Sequence, residues 1–269
     1  MVKPICVTCG TQFEESAIPP ESCPICQDER QFVGLDGQKW TTFEDLRSRH
    51  QVDIVLQERC LTSFSIEPHF GIGQRAFLLQ TPEGNILWDC LSMFDAATAE
   101  HIRRRGGLQY ICLSHPHYYA SMVEWSREFG NVPIYLHRDD AEWVMRQSPA
   151  IEFWPGENKR LLNGVKLVRC GGHFPGGAVL YWPGAAEGKG ALLSGDIIQV
   201  APDRKHVGFM WSYPNWVPLG PQASKRVVAA LAPHNFDRIY GAFPKLTIAS
   251  GAKQVVADSL KRHLHAMSE

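Results

Sequence analysis

The sequence lacks the features of a membrane-spanning or nucleic-acid-binding protein. None of its apolar runs approaches the roughly 18 residues that a membrane-spanning helix needs. It has no excess of either charge, because 27 Lys and Arg residues face 28 Asp and Glu residues, which gives a formal net charge of -1 at pH 7. A chain with this balance lacks the excess of positive charge that is typical of proteins that bind nucleic acid or an anionic membrane surface. Neither partner is therefore expected.

A secretory signal is also missing from the start of the sequence. The residues from Met1 to Cys6 lack the basic and apolar regions of such a signal, so we expect a cytoplasmic protein. In a reducing compartment, the 8 cysteines of the chain are expected to be metal ligands or buried thiols rather than disulfides. The length of 269 residues allows one large domain together with a small module.

Four cysteines form two tight pairs near the N-terminus. Cys6 and Cys9 make one C-x2-C turn, and Cys23 and Cys26 make another after 13 intervening residues. Each turn directs two sulfurs to one point, and two such turns complete a tetrahedron of thiolates. About 30 residues cannot support a core of their own, so a metal would supply the folding energy. The spacing predicts a structural zinc ribbon over residues 1–32, with rubredoxin-like iron as the alternative.

The rest of the chain divides into a linker and a larger domain. Residues 33–59 are predicted to be a linker with one short helix, opened by a capping box of Thr41 and Glu44. Residues 60–269 alternate between strand and helix patterns, which predicts a layered α/β domain. The expected helices are 94–105, 121–129, 140–146 and 251–265, and the expected strands include 74–79, 85–89, 110–113, 133–136, 165–170, 178–182 and 190–193.

Histidines and one aspartate follow the apolar segments of this domain. His115 and His117 are two residues apart at the end of a predicted strand, which should place both rings on one side. His173 lies in the glycine-rich turn 171–176, and Asp196 ends the apolar stretch 192–196. Neutral imidazole is the commonest metal ligand among side chains, so these residues are candidate ligands.

The ordered set of Ser-His-x-His, Gly-Gly-His-x-Pro-Gly and Ser-Gly-Asp resembles the metallo-β-lactamase superfamily over about residues 60 to 269. The resemblance implies a four-layer αββα sandwich with a metal site at one edge of two sheets. It also implies that His115, His117 and His173 are the ligands of the first metal. Asp196 corresponds to the aspartate that bridges to a second metal.

The sequence departs from the family at the second metal. The usual motif H-x-H-x-D-H has Tyr119 in place of its aspartate and Ala120 in place of its histidine. Ala242 or Phe243 stands where the last histidine is expected, so two metals are not expected. One zinc, iron or manganese ion with three imidazoles can lower the pKa of a water molecule to about 7. Asp196 is then either a fourth ligand or the general base.

Several aromatic residues near these motifs are candidates for further roles. Tyr118 and Tyr119 follow the His pair, and a phenol can donate to a developing oxyanion, which makes Tyr119 a candidate catalytic residue. Both tyrosines could instead pack against the next helix. Tyr118, together with Trp211 and Tyr213 of the aromatic segment 208–216, could line an apolar substrate pocket. The remaining cysteines, Cys60, Cys90, Cys112 and Cys170, are expected to be buried thiols.

Two classes of function follow from these features. The first is a metal-dependent hydrolase that acts on a small, partly apolar ester, thioester, lactone or phosphoester. The second is a binding or regulatory protein on a degenerate scaffold, with the ribbon as a surface for a protein partner or a second copy of the chain. A redox protein is the third alternative, because some relatives in the superfamily combine a di-iron site with a rubredoxin-like centre. The missing second-site ligands argue against it.

Overall fold

The computed structural model describes residues 1–268. Its helices are α1 (Pro24–Gln27), α2 (Phe43–Arg49), α3 (Ala96–Arg103), α4 (Met122–Glu128), the distorted single turn α5 (Ala185–Gly188), α6 (Pro221–Leu231) and α7 (Ala252–Ala266). Three short 3₁₀ segments lie at Pro116–Tyr118, Arg138–Trp143 and Leu162–Gly164. The strands are β1 (Ile5–Cys6), β2 (Trp40–Thr41), β3 (Gln51–Glu58), β4 (Leu61–Glu67), β5 (Ala76–Thr81), β6 (Gly84–Trp88), β7 (Tyr110–Cys112), β8 (Ile134–His137), β9 (Ile151–Trp154), β10 (Asn158–Arg160), β11 (Lys166–Arg169), β12 (Ala178–Trp182), β13 (Ala191–Leu193), β14 (Gln199–Val200), β15 (Val207–Gly208), β16 (Met210–Ser212), β17 (Val217–Pro218), β18 (Arg238–Tyr240) and β19 (Thr247–Ile248).

The chain forms two compact units. The first contains Met1–Leu136 and Ala141–Phe153, and the second contains His137–Asp140 and the chain from Trp154 onward. Each unit combines sheets with helices and has its own apolar core. The mixture of strands and helices agrees with the α/β class that the sequence predicts.

The first unit contains a seven-stranded sheet in the order β3-β4-β5-β6-β7-β8-β9. Its strands β3 to β6 pair antiparallel, whereas β7 pairs parallel with both β6 and β8. Parallel neighbours need a crossover, which α3 provides between β6 and β7 and α4 between β7 and β8. The loop after β7 therefore leaves the sheet at the carboxyl end of a buried parallel strand.

The second unit contains a six-stranded sheet in the order β10-β11-β12-β13-β18-β19. Its strands pair antiparallel except for β13 and β18, which pair parallel. Two small hairpin sheets, β14–β15 and β16–β17, lie in the chain between those two strands. The turn after β11 and the loop after β13 lead into the segments that carry His173 and Asp196.

Helix α2 begins one residue later than the predicted capping box requires. The hydroxyl of Thr42, not that of Thr41, accepts the backbone N–H of Asp45 at 3.1 Å and caps the helix. Thr41 is instead the last residue of β2, where it pairs with Ile5 of β1. The helix was correctly predicted, but two adjacent threonines offered two possible caps.

The predicted helix at 140–146 is wrong. A 3₁₀ segment, Arg138–Trp143, occupies part of this stretch and is broken at Asp140, whose backbone is not helical. The Asp140 carboxylate accepts the backbone N–H of Gly176 at 2.7 Å and is buried. Helix α6 was not predicted, although Pro221 in its first turn is a typical start signal.

The predicted boundaries of the linker differ from the observed strands. Strand β3 begins at Gln51, inside the stretch 33–59, and pairs with β4 over its length. The segment 51–58 is therefore an edge strand of the seven-stranded sheet, and only the part before it connects the cysteine pairs to that sheet. Its exposed side chains gave it the composition of a linker, which is typical of an edge strand.

Candidate metal centres

The four N-terminal cysteines lie together in the first unit. Their sulfurs are buried and all lie within 4.8 Å of one another. The Sγ atoms of Cys6 and Cys26 are 3.5 Å apart, and those of Cys9 and Cys23 are 3.7 Å apart. A tetrahedral zinc ion with Zn–S bonds of about 2.3 Å would separate its sulfurs by about 3.8 Å. The cysteine group therefore fits the donor set and the spacing of a structural zinc centre.

Backbone geometry explains why these sulfurs converge. Gly10 follows the first pair in the left-handed region, with φ 81°, and its N–H donates to the carbonyl oxygen of Cys6 at 2.8 Å. In the second pair, the N–H of Cys26 donates to the carbonyl oxygen of Cys23 at 3.0 Å, at the start of α1. Glycine adopts this positive φ without strain, so its position after the first pair closes the turn.

The thiols also interact electrostatically. Hydrogen bonds from Cys23 and Cys26 lower the pKa of Cys6, whereas hydrogen bonding with the same two thiols raises the pKa of Cys9. The side-chain amide of Gln38 donates to the Cys6 sulfur at 3.3 Å, which favours its thiolate. Donors of this kind are typical of thiolates that hold a metal ion.

His117 belongs to a 3₁₀ turn rather than to a strand, and His115 directly precedes that turn. Strand β7 ends at Cys112, and the turn Pro116–Tyr118 begins directly after His115. The sequence predicts that the alternation of side chains along a strand brings the two rings together. This explanation is wrong, because the Ser-His-Pro-His segment follows the end of β7 and is not part of the sheet. The two rings are nevertheless neighbours, with centroids 5.2 Å apart, and both are buried.

A hydrogen-bonded chain supports this turn from within the first unit. The hydroxyl of Ser114 lies 2.8 Å from Nδ1 of His115, and the Asp89 carboxylate accepts the backbone N–H of Ser114 at 2.7 Å. The contact engages Nδ1 of His115 and leaves Nε2 as its ligand atom. Asp89 was not predicted as a site residue, although its place directly after the apolar strand β6 is the same signal that identified Asp196.

The ribbon residues contact the same segment. The backbone N–H of Gln12 donates to the carbonyl oxygen of Ala120 at 2.9 Å, and Ser92 donates its hydroxyl to the Gly10 carbonyl at 2.8 Å. The buried Arg146 bonds both the Gln12 side chain and the Glu124 carboxylate of α4. No motif indicated the contacts of Gln12, because they join residues more than 100 positions apart.

His173 and Asp196 belong to the second unit. Nδ1 of His173 lies 2.8 Å from the carbonyl oxygen of Trp211, so this nitrogen donates and Nε2 is left as the ligand atom. The hydroxyl of Tyr213 donates to the backbone carbonyl of Asp196 at 2.8 Å, and its ring lies 5.5 Å from that of His173. Trp211 and Tyr213 therefore orient both residues through one hairpin, β16–β17.

The three predicted histidines and the predicted aspartate are all buried, His115 and His117 in the first unit and His173 and Asp196 in the second. Each offers a side-chain atom that could hold a metal ion, and the four residues are called the histidine-aspartate group below. Three imidazoles and a carboxylate suit zinc, iron and manganese. The hydrogen bonds on Nδ1 of His115 and His173 fit this use, because they direct the other ring nitrogen of each to a ligand.

Tyr118 and Tyr119 are both buried. Tyr118 donates its hydroxyl to the carbonyl oxygen of Arg75 at 3.2 Å, and its ring lies 5.4 Å from that of His115. Tyr119 packs in the apolar core of the first unit, at 2% exposure, and lines a small cavity together with Gln12. Both side chains therefore contact protein atoms of the first unit.

The positions of the missing second-site ligands are apolar in the structure. Tyr119 and Ala120 belong to the core of the first unit, and Ala242 is buried in the second. Within residues 1–268, the groups of side chains that could hold a metal ion are the four cysteines and the histidine-aspartate group.

The other cysteines agree with their prediction except for Cys60. Cys90, Cys112 and Cys170 are buried, whereas Cys60 is half-buried. Burial, with a smaller contribution from the Glu157 carboxylate, raises the pKa of Cys170 to about 12. Cys60 lies in the turn between β3 and β4, where neighbours cannot cover its side chain completely.

The helices of the described residues do not have the character of membrane spans. No helix between positions 1 and 268 combines the length and the apolar character that crossing a bilayer requires.

Comparisons with known proteins relate the chain to one curated protein and to a group of solved structures. It is 47% identical over 266 residues to the uncharacterised protein YmaE of Bacillus subtilis strain 168, which covers 98% of this chain and 96% of that protein. No family model matches the sequence.

Among solved structures, the DIM-1 metallo-β-lactamase superposes with a TM-score of 0.60 at 13% identity, over 80% of this chain and 98% of that one. The metallo-β-lactamase FIM-1 from Pseudomonas aeruginosa, in its mono-zinc form, superposes with a TM-score of 0.58 at 14% identity, over 79% and 96% of the two chains. These likenesses confirm the predicted fold class.

Proposed function

Since the chain belongs to the family of the uncharacterised Bacillus subtilis protein YmaE and has the metallo-β-lactamase fold, we propose that it is a metal-dependent hydrolase. The observation that carries the proposal is the buried group of His115, His117, His173 and Asp196. A buried carboxylate is costly without a cation, and three imidazoles with one carboxylate are the donor set of a hydrolytic metal site. The four cysteines are proposed to hold a separate structural zinc ion.

A single metal ion is proposed for the histidine-aspartate group. The residues at the usual second-site positions, Tyr119 and Ala120, pack in an apolar core, which supports one ion rather than two. The mono-zinc form of FIM-1 shows that a protein of this fold can be isolated with one zinc. Zinc is the proposed ion, with iron and manganese as the other ions that the ligands accept.

The metal would supply Lewis acidity, which lowers the pKa of a water molecule to about 7. Among the protein groups, Asp196 is proposed as the general base that accepts the proton of this water. Tyr213 holds the Asp196 backbone through its hydroxyl, and the Trp211 carbonyl holds the His173 ring. Both contacts keep the base and a ligand in place while the proton moves. Tyr119 remains a proposal as a donor to the developing oxyanion.

The proposed substrate is a small, partly apolar ester, thioester, lactone or phosphoester. The near-neutral charge of the chain and the Tyr213 ring, 5.5 Å from the His173 ring, support this class, and Trp211 is proposed as a further substrate contact. Tyr118 is proposed as a further contact of the substrate through its position beside His115. The proposed location is the cytoplasm, a reducing compartment in which the cysteine thiols of the protein are available as metal ligands. The ribbon is the proposed surface for a second copy of the chain or for a protein partner.

The experiment that tests the proposal is a hydrolysis assay with zinc-loaded protein. A panel of activated esters, thioesters, lactones and phosphodiesters is compared for wild type and for Asp196→Asn, with Asp36→Asn as an exposed control. We expect Asp196→Asn to keep its metal and to lose about 10²–10⁴-fold in turnover, and we expect the control to match wild type. Hydrolysis that is equal in all three proteins would contradict the assignment of the base.

The second candidate function is binding without turnover. It is favoured only if Asp196 is a fourth ligand that closes the site. In that case, no compound of the panel is hydrolysed, and Asp196→Asn binds zinc more weakly than Asp36→Asn. The metal content of the two variants therefore separates the base from the ligand.

A further inference from the structure

We propose that the second unit contains a separate ligand site, a cleft between helix α6 and the β16–β17 hairpin, and that this cleft binds an amphiphilic carboxylate. The cleft has a volume of about 710 Å³. This value lies within the roughly 300–1,000 Å³ that is typical of small-molecule sites. The inference goes beyond the proposed hydrolysis and does not rest on it: none of the four residues of the histidine-aspartate group lines the cleft, although Trp211, whose carbonyl contacts His173, does.

The floor of the cleft is apolar and closely packed. Cys170 and Leu219 are buried beneath it, and Gly172 forms part of its wall. Gly172 has φ +84°, and a Cβ atom there would lie 3.1 Å from Leu219 and 3.0 Å from Val227 of α6. A side chain at this position would have a strained backbone and would crowd the helix, so glycine allows the close approach of the wall to α6.

Helix α6 keeps the cleft open through small side chains. Ala223 and Ala230 are seven residues apart, so they lie on the same face of the helix, and both line the cleft. Larger apolar residues at these positions would fill the space and gain the free energy of burial. Alanine side chains do not fill the space, and they leave apolar surface that a hydrocarbon or aromatic ligand could cover.

One positive charge at the rim is available to a ligand. Arg169 is neutralised by the carboxylates of Asp139, at 2.6 Å, and Glu157, at 3.1 Å. Arg226 also lines the cleft and is exposed, and in the described part of the chain no carboxylate forms an ion pair with it. The planar guanidinium group of arginine matches a carboxylate in a two-point contact. An apolar floor with one arginine, Arg226, that is not neutralised by a carboxylate of the described residues therefore favours a hydrocarbon body with one carboxylate.

The test is equilibrium dialysis of the full-length, zinc-loaded protein against octanoate at submicellar concentration. Octan-1-ol and octylamine serve as its neutral and cationic counterparts. We expect one octanoate per chain, and we expect the neutral and the cationic compound to bind at least tenfold more weakly. Arg226→Ala should weaken octanoate binding about tenfold and leave octan-1-ol binding unchanged, whereas the exposed neighbour Lys225→Ala should change neither.

A second pair of variants tests the place of the site. Ala230→Leu adds a side chain inside the cleft and should abolish octanoate binding, whereas Ala266→Leu makes the same change at an exposed position of helix α7 and should not. His117→Ala should bind octanoate like wild type, even where it fails as a hydrolase. The proposal is overturned if octanoate does not bind wild type, if Arg226→Ala binds it equally well, or if Ala230→Leu retains binding.

Discussion

The backbone N–H of Gln12 donates to the carbonyl oxygen of Ala120 at 2.9 Å. Gln12 follows Cys9 of the four-cysteine group by three residues, and Ala120 follows His117 by the same number. Cys9 and His117 also line one small cavity of about 20 Å³, which is about the size of one water molecule. The four-cysteine group therefore packs directly against the segment that carries two of the three proposed histidine ligands. The contact is made at Ala120, the position where the usual second-site histidine is absent.

Loss of the ribbon metal should disturb this segment. We expect Cys23→Ser to lose about one zinc per chain and to unfold residues 1–30, because those residues have little core apart from the cysteine group. We also expect faster amide hydrogen exchange at residues 117–121, because their contact with Gln12 is lost. Elemental analysis and hydrogen exchange measure the two effects, with Cys60→Ser as the control. Unchanged zinc content in Cys23→Ser would show that the ribbon assignment is wrong.

The Gln12 side chain should contribute measurably to stability. It accepts a hydrogen bond from Arg146, which is buried at 4% exposure. Gln12→Ala leaves that guanidinium group with one partner fewer, and we expect the free energy of unfolding to fall by about 1–3 kcal/mol. Denaturant unfolding measures the change, and the exposed Gln27→Ala should stay within about 0.5 kcal/mol of wild type. Equal loss in both variants would indicate a general effect of shortening a glutamine.

The α/β class and the two groups of candidate metal ligands could be predicted from the sequence because their signals are local. Two C-x2-C pairs fix four sulfurs by spacing alone, and His115, His117, His173 and Asp196 each follow an apolar segment. The reason for the proximity of His115 and His117 was wrong, since a proline after His115 begins a 3₁₀ turn where a strand was expected. A periodic pattern cannot show where a short strand ends.

Long-range contacts could not be predicted from any one segment. The contact of Gln12 with Ala120 and the Asp140 carboxylate on the Gly176 N–H depend on the whole fold. The second of these replaced the predicted helix at 140–146, because tertiary hydrogen bonds outweigh local helix propensity. The aromatic segment contacts His173 through the backbone carbonyl of Trp211, a contact that the side chains of the segment do not indicate.

Stability should depend on pH through Asp95. Burial disfavours the ionised form of this carboxylate, but hydrogen bonds from Val52 and Thr98 outweigh that effect and lower its pKa. The ionised carboxylate therefore contributes fully to the free energy of unfolding above its pKa in the unfolded chain, about 3.9. This contribution is lost as the pH falls through the lower pKa of the folded protein. We expect Asp95→Ala to destabilise the protein by about 0.5–2 kcal/mol at pH 7.

The difference between wild type and Asp95→Ala should shrink as the pH falls below about 4. Denaturant unfolding at several pH values checks this, with the exposed Asp36→Ala as the reference. A difference that stays constant from neutral to strongly acidic pH would mean that the charge of Asp95 has no role in capping α3.

Tyr118 should contribute to stability through its hydroxyl. This group is buried and donates to the Arg75 carbonyl, so Tyr118→Phe should lower the free energy of unfolding by about 0.5–1.5 kcal/mol. Thermal and denaturant unfolding measure the effect, and the half-buried Tyr181→Phe is the control. If Tyr118→Phe is as stable as wild type, the hydrogen bond does not contribute in solution.

We propose that the protein holds one metal ion at His115, His117 and His173 and a second, separate ion at the four cysteines. Elemental analysis of the purified protein tests it most directly, in wild type and in His117→Ala. We expect about two metal ions per chain in wild type and about one in His117→Ala, with the remaining zinc at the cysteines. A red colour would indicate iron at the four thiolates instead of zinc. Three ions per chain, or no loss of metal in His117→Ala, would contradict the account.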